Sequence, residues 1–245
     1  MTGEARAFIA TGAAFAGFVN GLAGFGTSLF ALGWWLQVMA PVDAVALSLV
    51  ISVLIGVQGV WIVRHAIEAK ALGRFLLPAF IGIPIGLTLL DRLSPEPLKL
   101  LIALFLIGYG AYFTWQRQLP ALMKPTPLID SAIGFLGGLL GALAGLSGAL
   151  PTVWLSLRPW AKAKIRAILQ PYNTVVLGVA AMLLAFKGVF DTDLLLALAV
   201  AAPIAFGSSQ IGIAVFRRID DQRFRQLLIA LMLAAGAVLL ARTLL

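Results

Sequence analysis

Long apolar stretches dominate the chain, and short polar runs separate them. Eight such segments can be marked, at about residues 7–40, 44–63, 75–90, 98–115, 128–157, 167–186, 194–216 and 224–244. Most have about the 20 residues that one helix needs to cross a hydrocarbon core roughly 30 Å thick. The pattern predicts an all-α, polytopic membrane protein. Two segments, 7–40 and 128–157, are longer than a single crossing requires. Each contains a stretch too rich in glycine for one unbroken helix, because an interior glycine costs about 1 kcal/mol against alanine.

Those two stretches resemble each other. Residues 17–30 read GFVNGLAGFGTSLF and residues 137–151 read GGLLGALAGLSGALP, with Leu22-Ala23-Gly24 aligned on Leu143-Ala144-Gly145. Further matches follow in the same order: Gly56 with Gly178, Pro78 with Pro203, Gly82 with Gly207, and Leu100 to Leu104 with Leu227 to Leu231. The expected organisation is therefore two membrane repeats, 1–119 and 128–245, in one integral membrane domain. A linker at 120–127 carries Pro120, Pro125 and Pro127. Glycine-broken segments in matching places of two halves point to a transporter's binding site.

Charge bears on how the halves are oriented. If all eight segments cross once, the basic residues divide almost evenly between the two sides. If segments one and five instead fold back at their glycines, Arg64, Lys70, Arg74, Arg117, Lys124, Arg158, Lys162, Lys164, Arg166, Arg217, Arg218, Arg223 and Arg225 share one side. Only Arg6, Arg92, Lys99, Lys187 and Arg242 of the 18 basic residues then lie opposite. That asymmetry is what the positive-inside rule expects. It favours two inverted repeats with three crossings each, although a broken, fully crossing helix in one half would repair the count as well.

Composition removes several classes of function. The chain has 245 residues, 61% hydrophobic and 11% charged, against about 25% charged for a soluble domain. The net charge of +8 lies in short loops, so it reads as topology, and nucleic acid is not an expected partner. There is no cysteine, hence no disulfide or thiolate site. The N-terminal region shows no cleavage pattern of a removable signal. No metal-ligand cluster, nucleophile triad or nucleotide loop is evident, and no cofactor or enzymatic activity is expected.

Candidate chemistry gathers at the two breaks. Glycines four apart, such as Gly17/Gly21 and Gly134/Gly138, are ordinary close-packing positions for membrane helices. The denser clusters around Gly24/Gly26 and Gly145/Gly148 suggest turns at membrane depth, tolerable only where protein or a polar cavity surrounds them. A new helix can start after each turn, with Thr27 and Ser28 expected to cap one and Ser147 the other. Free N–H groups at such starts attract anions. Ser48, Ser52, Gln58 and Ser208 to Gln210 can add lining or bond between helices. Gln170, Tyr172 and Asn173 cluster beside Pro171. The candidate substrate-binding set is Asn20, Gly24, Gly26, Thr27, Ser28, Gly145, Ser147, Gly148, Gln170, Tyr172 and Asn173. No acidic residue falls in mid-segment, Asp130 being nearest, and no buried Lys or Arg is expected.

With its two halves each opening on a glycine-rich stretch, the chain resembles the sulfite exporter TauE/SafE family of small bacterial membrane permeases. Its second copy keeps a proline, Pro151, after Ser147-Gly148, whereas the first has Gly24-Phe25-Gly26 and then Phe30. The resemblance implies transport of sulfite or an organosulfonate across the bacterial inner membrane. The expected function is a permease for a small anion held at the midplane by two helix N-termini. A channel-like anion pathway, a membrane enzyme and an assembly partner are the alternatives. The expected partners are the small anion and the lipid bilayer; a homo-oligomer is compatible with the pattern.

Overall fold

The computed structural model describes residues 3–90, 100, 103, 104, 107, 108, 111 and 126–244. The expected turn at 91–97, most of segment 98–115 and the linker before Thr126 lie outside the described residues. Among the described residues every regular element is helical. In chain order these are α1 (Gly3–Ala23), α2 (Thr27–Trp35), α3 (Pro41–Val63), a 3₁₀ turn (Arg64–Ala66) and α4 (Ala69–Leu90). They are followed by α5 (Pro127–Ala144), α6 (Ala149–Ser156), α7 (Lys162–Phe186), α8 (Thr192–Arg218) and α9 (Asp221–Leu244). Six of these, α1, α3, α4, α5, α7 and α8, are long and apolar enough to cross a membrane.

Local chemistry explains several ends. Pro41 and Pro127 open α3 and α5 in the first turn, where a missing N–H costs nothing. Asp191 caps α8 by accepting from the Leu194 N–H at 2.8 Å. Several helices begin earlier than the apolar segments do, most of all α4 at Ala69 and α7 at Lys162, not near residues 75 and 167. Hydropathy marks where side chains turn apolar, whereas the backbone is already helical through first turns that carry Lys70 in α4 and Lys162 and Lys164 in α7.

Helix directions follow from close glycine contacts. A Cβ on Gly17 would run into Ala205, and one on Gly21 into Ser209, so α1 and α8 run parallel. One on Gly134 would strike Phe75, and one on Gly138 Ala79, so α4 and α5 are parallel too. At the centre α3 and α7 are antiparallel, with Gly59 against Gln170 and Gly56 against Thr174. Apolar burial alone does not hold such helices together in lipid. Small residues that let backbones approach do.

The short helices return along the long ones. Trp35 Nε1, at the end of α2, donates to the Ile9 carbonyl in α1 at 3.1 Å, and Trp34 stacks on Phe15. Asn20, near the end of α1, contacts Thr27, at the start of α2. Thus α2 runs back beside α1. The connection between α5 and α6 turns in the same way, with a Cβ on Gly137 reaching Pro151 and the Ser147 carbonyl.

Candidate functional site

Each break is built on left-handed glycines. Gly24 has φ 83° and Gly26 φ 97°, while Gly145 has φ 68°. A Cβ disfavours this backbone by about 1–2 kcal/mol. The Gly24 N–H closes α1 on the Asn20 carbonyl at 2.7 Å, and the Gly145 N–H closes α5 on Gly141 at 2.8 Å. The two turns interlock. A Cβ on Gly145 would run into the Ser28 hydroxyl, one on Gly148 would lie 2.6 Å from Phe25 Cβ, and one on Gly24 2.7 Å from Gln170 Oε1. Each turn also rests on the central helix of the other half of the chain, Gly24 on α7 and Gly145 beside Ser48 of α3.

A buried polar network joins them. Ser147 Oγ donates to Asn173 Oδ1 at 2.7 Å, and Asn173 Nδ2 donates to the Gly24 carbonyl at 2.9 Å. One amide of α7 therefore ties the second turn to the first. Asn20 Nδ2 donates to Thr27 Oγ1 at 2.7 Å, and the Ser28 and Ser48 hydroxyls share a bond of 2.8 Å. Asn20 Oδ1 is buried with no partner. An unsatisfied buried acceptor is costly, of order 1–3 kcal/mol, and asks for an explanation.

The helix starts differ from the sequence expectation. The residue before α2 is Gly26 and that before α6 is Gly148, and neither helix has a side-chain cap. Thr27 and Ser28 lie inside the first turn of α2, and their hydroxyls are spent on Asn20 and Ser48. Ser147 is spent on Asn173. Left-handed Gly26 makes the entry to α2, so no capping side chain is needed. The first-turn N–H groups of α2 thus remain open. The α6 start is poorer in donors, because Pro151 has none and the Ala149 N–H already reaches Leu146 O at 3.2 Å.

The expectation of no buried cation is corrected outright. Arg166 is fully buried in the second turn of α7. Its guanidinium donates to the Gly21 carbonyl at 2.7 Å and the Leu22 carbonyl at 3.3 Å, contacts Gln170 Oε1 at 3.4 Å and lies over the Phe216 ring at 4.2 Å. It satisfies the open carbonyls of the last turn of α1, where the helix dipole is negative. One turn earlier, Lys162 Nζ bonds the Phe216 carbonyl at 2.9 Å and that of Ile219. The start of α7 thus holds the ends of both α1 and α8. Arg166 could have been suspected from its i,i+4 spacing to Gln170, but its acceptors lie far away in sequence.

Arg158 and Asp130 are also buried. Asp130 Oδ1 accepts from Arg158 at 3.0 Å, Trp154 Nε1 at 2.7 Å and Thr126 Oγ1 at 3.2 Å. This cluster lies at the start of α5, away from the breaks. Among the described residues no three His, Cys, Asp or Glu side chains gather to hold a metal ion.

The meeting point of the turns encloses a small cavity lined by Asn20, Phe25, Gly26, Leu29, Ser52, Leu177, Asn173 and residues 145–149. Its free space is about 10 Å³, room for about one water. Of the candidate residues, Asn20, Gly26, Gly145, Ser147, Gly148 and Asn173 line it. Gly24 is next to it through its carbonyl. Gln170 faces Gly24, Gly59 and Arg166. Tyr172 points elsewhere: its hydroxyl donates to the Gly134 carbonyl at 2.7 Å and its ring packs edge-on against Phe75.

A helical, multi-pass bundle whose interior holds two broken-helix turns around a small buried cavity with a few polar groups is the architecture of a membrane transport protein. Residues 9–239 match the family model described as Sulfite exporter TauE/SafE, and the chain belongs to that family. It is accordingly a multi-pass membrane transporter of the sulfur-anion class and not an enzyme. Comparison with curated proteins gives no match, and neither does comparison with solved structures.

Proposed function

We propose that the protein carries a small sulfur oxyanion, sulfite or an organosulfonate, across the bacterial inner membrane, binding it where the two glycine turns meet. The observation that carries this reading is the junction itself. Gly26 and Leu29 from the start of α2, the Ser147–Asn173 pair and Asn20, whose Oδ1 is unpartnered, all line one buried space. The open first-turn N–H groups of α2 suit the anionic oxygens, and the spare acceptor suits the hydroxyl of a singly protonated oxyanion. Arg166 adds a buried positive charge behind Gly24, although its donors are directed at α1.

The framework of this reading is two inverted repeats, each opening with a re-entrant hairpin. Helix directions support it. Since α4 is parallel to α5 and α3 antiparallel to α7, the α5–α6 hairpin starts and ends on the side where α3 ends. By the same reasoning from α1 and α8, the α1–α2 hairpin starts and ends on the opposite side. Similar contacts recur in both halves, Gly17 against Ala205 like Gly138 against Ala79, and Gly212 against the Phe18 carbonyl like Gly86 against the Leu139 carbonyl, one residue out of step with the pairing of Pro78 with Pro203. The cavity is smaller than any such anion, which fits a state closed to both sides. Loading then requires the Phe25–Gly148 and Ser28–Gly145 contacts to part.

The test is equilibrium binding of radiolabelled sulfite to purified protein, with Asn173→Ala beside the wild type. Asn173 already bonds Ser147 and Gly24 in the unloaded protein, so what the variant loses on binding is one amide contact to the anion, worth about 1.5 kcal/mol for a charged partner, or roughly tenfold weaker binding. Competition by a small sulfonate but not by choline is expected. Equal binding by the variant would remove the site.

A further inference from the structure

A second cavity lies at the end of the molecule where α3 finishes and α4, α5 and α7 begin. It measures about 190 Å³ and is lined by Glu68, Lys70, Arg74, Asp130, Arg158 and Trp160, with Phe75 beneath. Its two carboxylates are already engaged. Glu68 pairs with Lys164 at 2.6 Å, and Asp130 pairs with Arg158 at 3.0 Å. Lys70 makes no ion pair among the described residues, and Arg74 reaches Asp130 only at 3.8 Å. The cavity therefore carries surplus positive charge in a preformed space, and Asp130 fixes its buried wall.

What lies below it identifies the occupant. Lys70, Arg74, Leu77, Ile81 and Ile85 fall on one stripe of α4, at successive three- and four-residue steps. The two cations border the cavity, and then Leu77 is 69% exposed, Ile81 63% and Ile85 41%. From Arg74 to Ile85 the stripe runs about 16 Å at about 1.5 Å per residue. That is a cationic pocket heading an apolar track of acyl-chain length, with Trp160 in the pocket wall beside Arg158 and Lys164. A soluble anion would have no use for the track.

We propose that this pocket binds the phosphate of an anionic phospholipid whose acyl chain lies along the outer face of α4. Basic pockets between membrane helices are suited to such headgroups. The site is separate from the transport cavity and independent of what that cavity carries.

Purified protein is incubated with phosphatidylcholine alone or with one-fifth phosphatidylglycerol, and lipid adducts are counted by native mass spectrometry. The wild type is expected to retain phosphatidylglycerol at least fivefold over phosphatidylcholine. Lys70→Gln with Arg74→Gln should abolish that preference, and Leu77→Ser with Ile81→Ser should lower retention several-fold. Millimolar inorganic phosphate should leave the adduct in place. Lys70→Gln alone, at an exposed side chain, carries the test should the double variant fold poorly; it should lose at least half of the preference. No preference in the wild type, or preference unchanged by Lys70→Gln, overturns the proposal. Displacement by phosphate with no effect of the Leu77/Ile81 changes also overturns it, and assigns the pocket to a soluble anion.

Discussion

Replacing Arg166 with methionine keeps an unbranched apolar stem, shorter than the arginine, and removes every donor. The Gly21 and Leu22 carbonyls, now bonded at 2.7 and 3.3 Å, would be left open in a buried place. Each orphaned carbonyl costs about 1–3 kcal/mol. Part of that is returned, because the guanidinium itself no longer has to be desolvated. The net loss should be about 2–4 kcal/mol. Arg166→Lys keeps the charge but cannot fork across two carbonyls, so about 1–2 kcal/mol is expected. Reversible unfolding in mixed micelles measures both variants. Hydrogen exchange over residues 18–26 gives a local readout, since the end of α1 should open first. If Arg166→Met unfolds within about 0.5 kcal/mol of the wild type and residues 18–26 exchange no faster, the guanidinium does not hold that helix end.

Three further outcomes follow from the same geometry. Gly145→Ala should cut transport at least tenfold, because its φ of 68° and its contact with the Ser28 hydroxyl leave no room. Gly207→Ala, with open space around it, should transport like the wild type; equal loss at both positions would make the turn ordinary packing. In this cysteine-free chain, a cysteine at Gln37 should react from one face of the membrane and one at Ala163 only from the other. Impermeant labelling of intact and opened cells decides this, and reaction of both from one face contradicts the inverted arrangement. Lys162→Met should destabilise by about 1–3 kcal/mol through the carbonyls of Phe216 and Ile219 that lose their donor, measured by the same unfolding assay.

The hydrophobic pattern carried the helical class and the membrane setting, because about 20 apolar residues have few other uses. Gly24, Gly145 and Asn173 could be picked out as well, since a glycine cluster or an amide inside an apolar segment is costly without a reason. The caps could not be read correctly. Thr27, Ser28 and Ser147 are good capping residues in isolation, but Gly26 makes the turn and the hydroxyls are claimed by Asn20, Ser48 and Asn173. Arg166 was hidden for a different reason. A cation near Lys162 and Lys164 looks solvated when only neighbours in sequence are weighed. Its partners are backbone carbonyls of α1, and a carbonyl's need for a donor appears only when the chain is folded. Asp130 does lie near a segment end, but that position does not reveal Arg158 and Trp154 closing over it.

The central claim is that the junction of the two turns selects a sulfur oxyanion. It is tested most directly by flux into proteoliposomes of sulfite, a small sulfonate, a carboxylate and choline, with wild type, Ser147→Ala and Asn173→Ala in parallel. The account predicts movement of the sulfite or the sulfonate well above the carboxylate, none of choline, and a loss of roughly tenfold in Asn173→Ala at low substrate, with a smaller loss in Ser147→Ala. Selective movement of choline, or sulfur-anion flux that neither substitution alters, would contradict it.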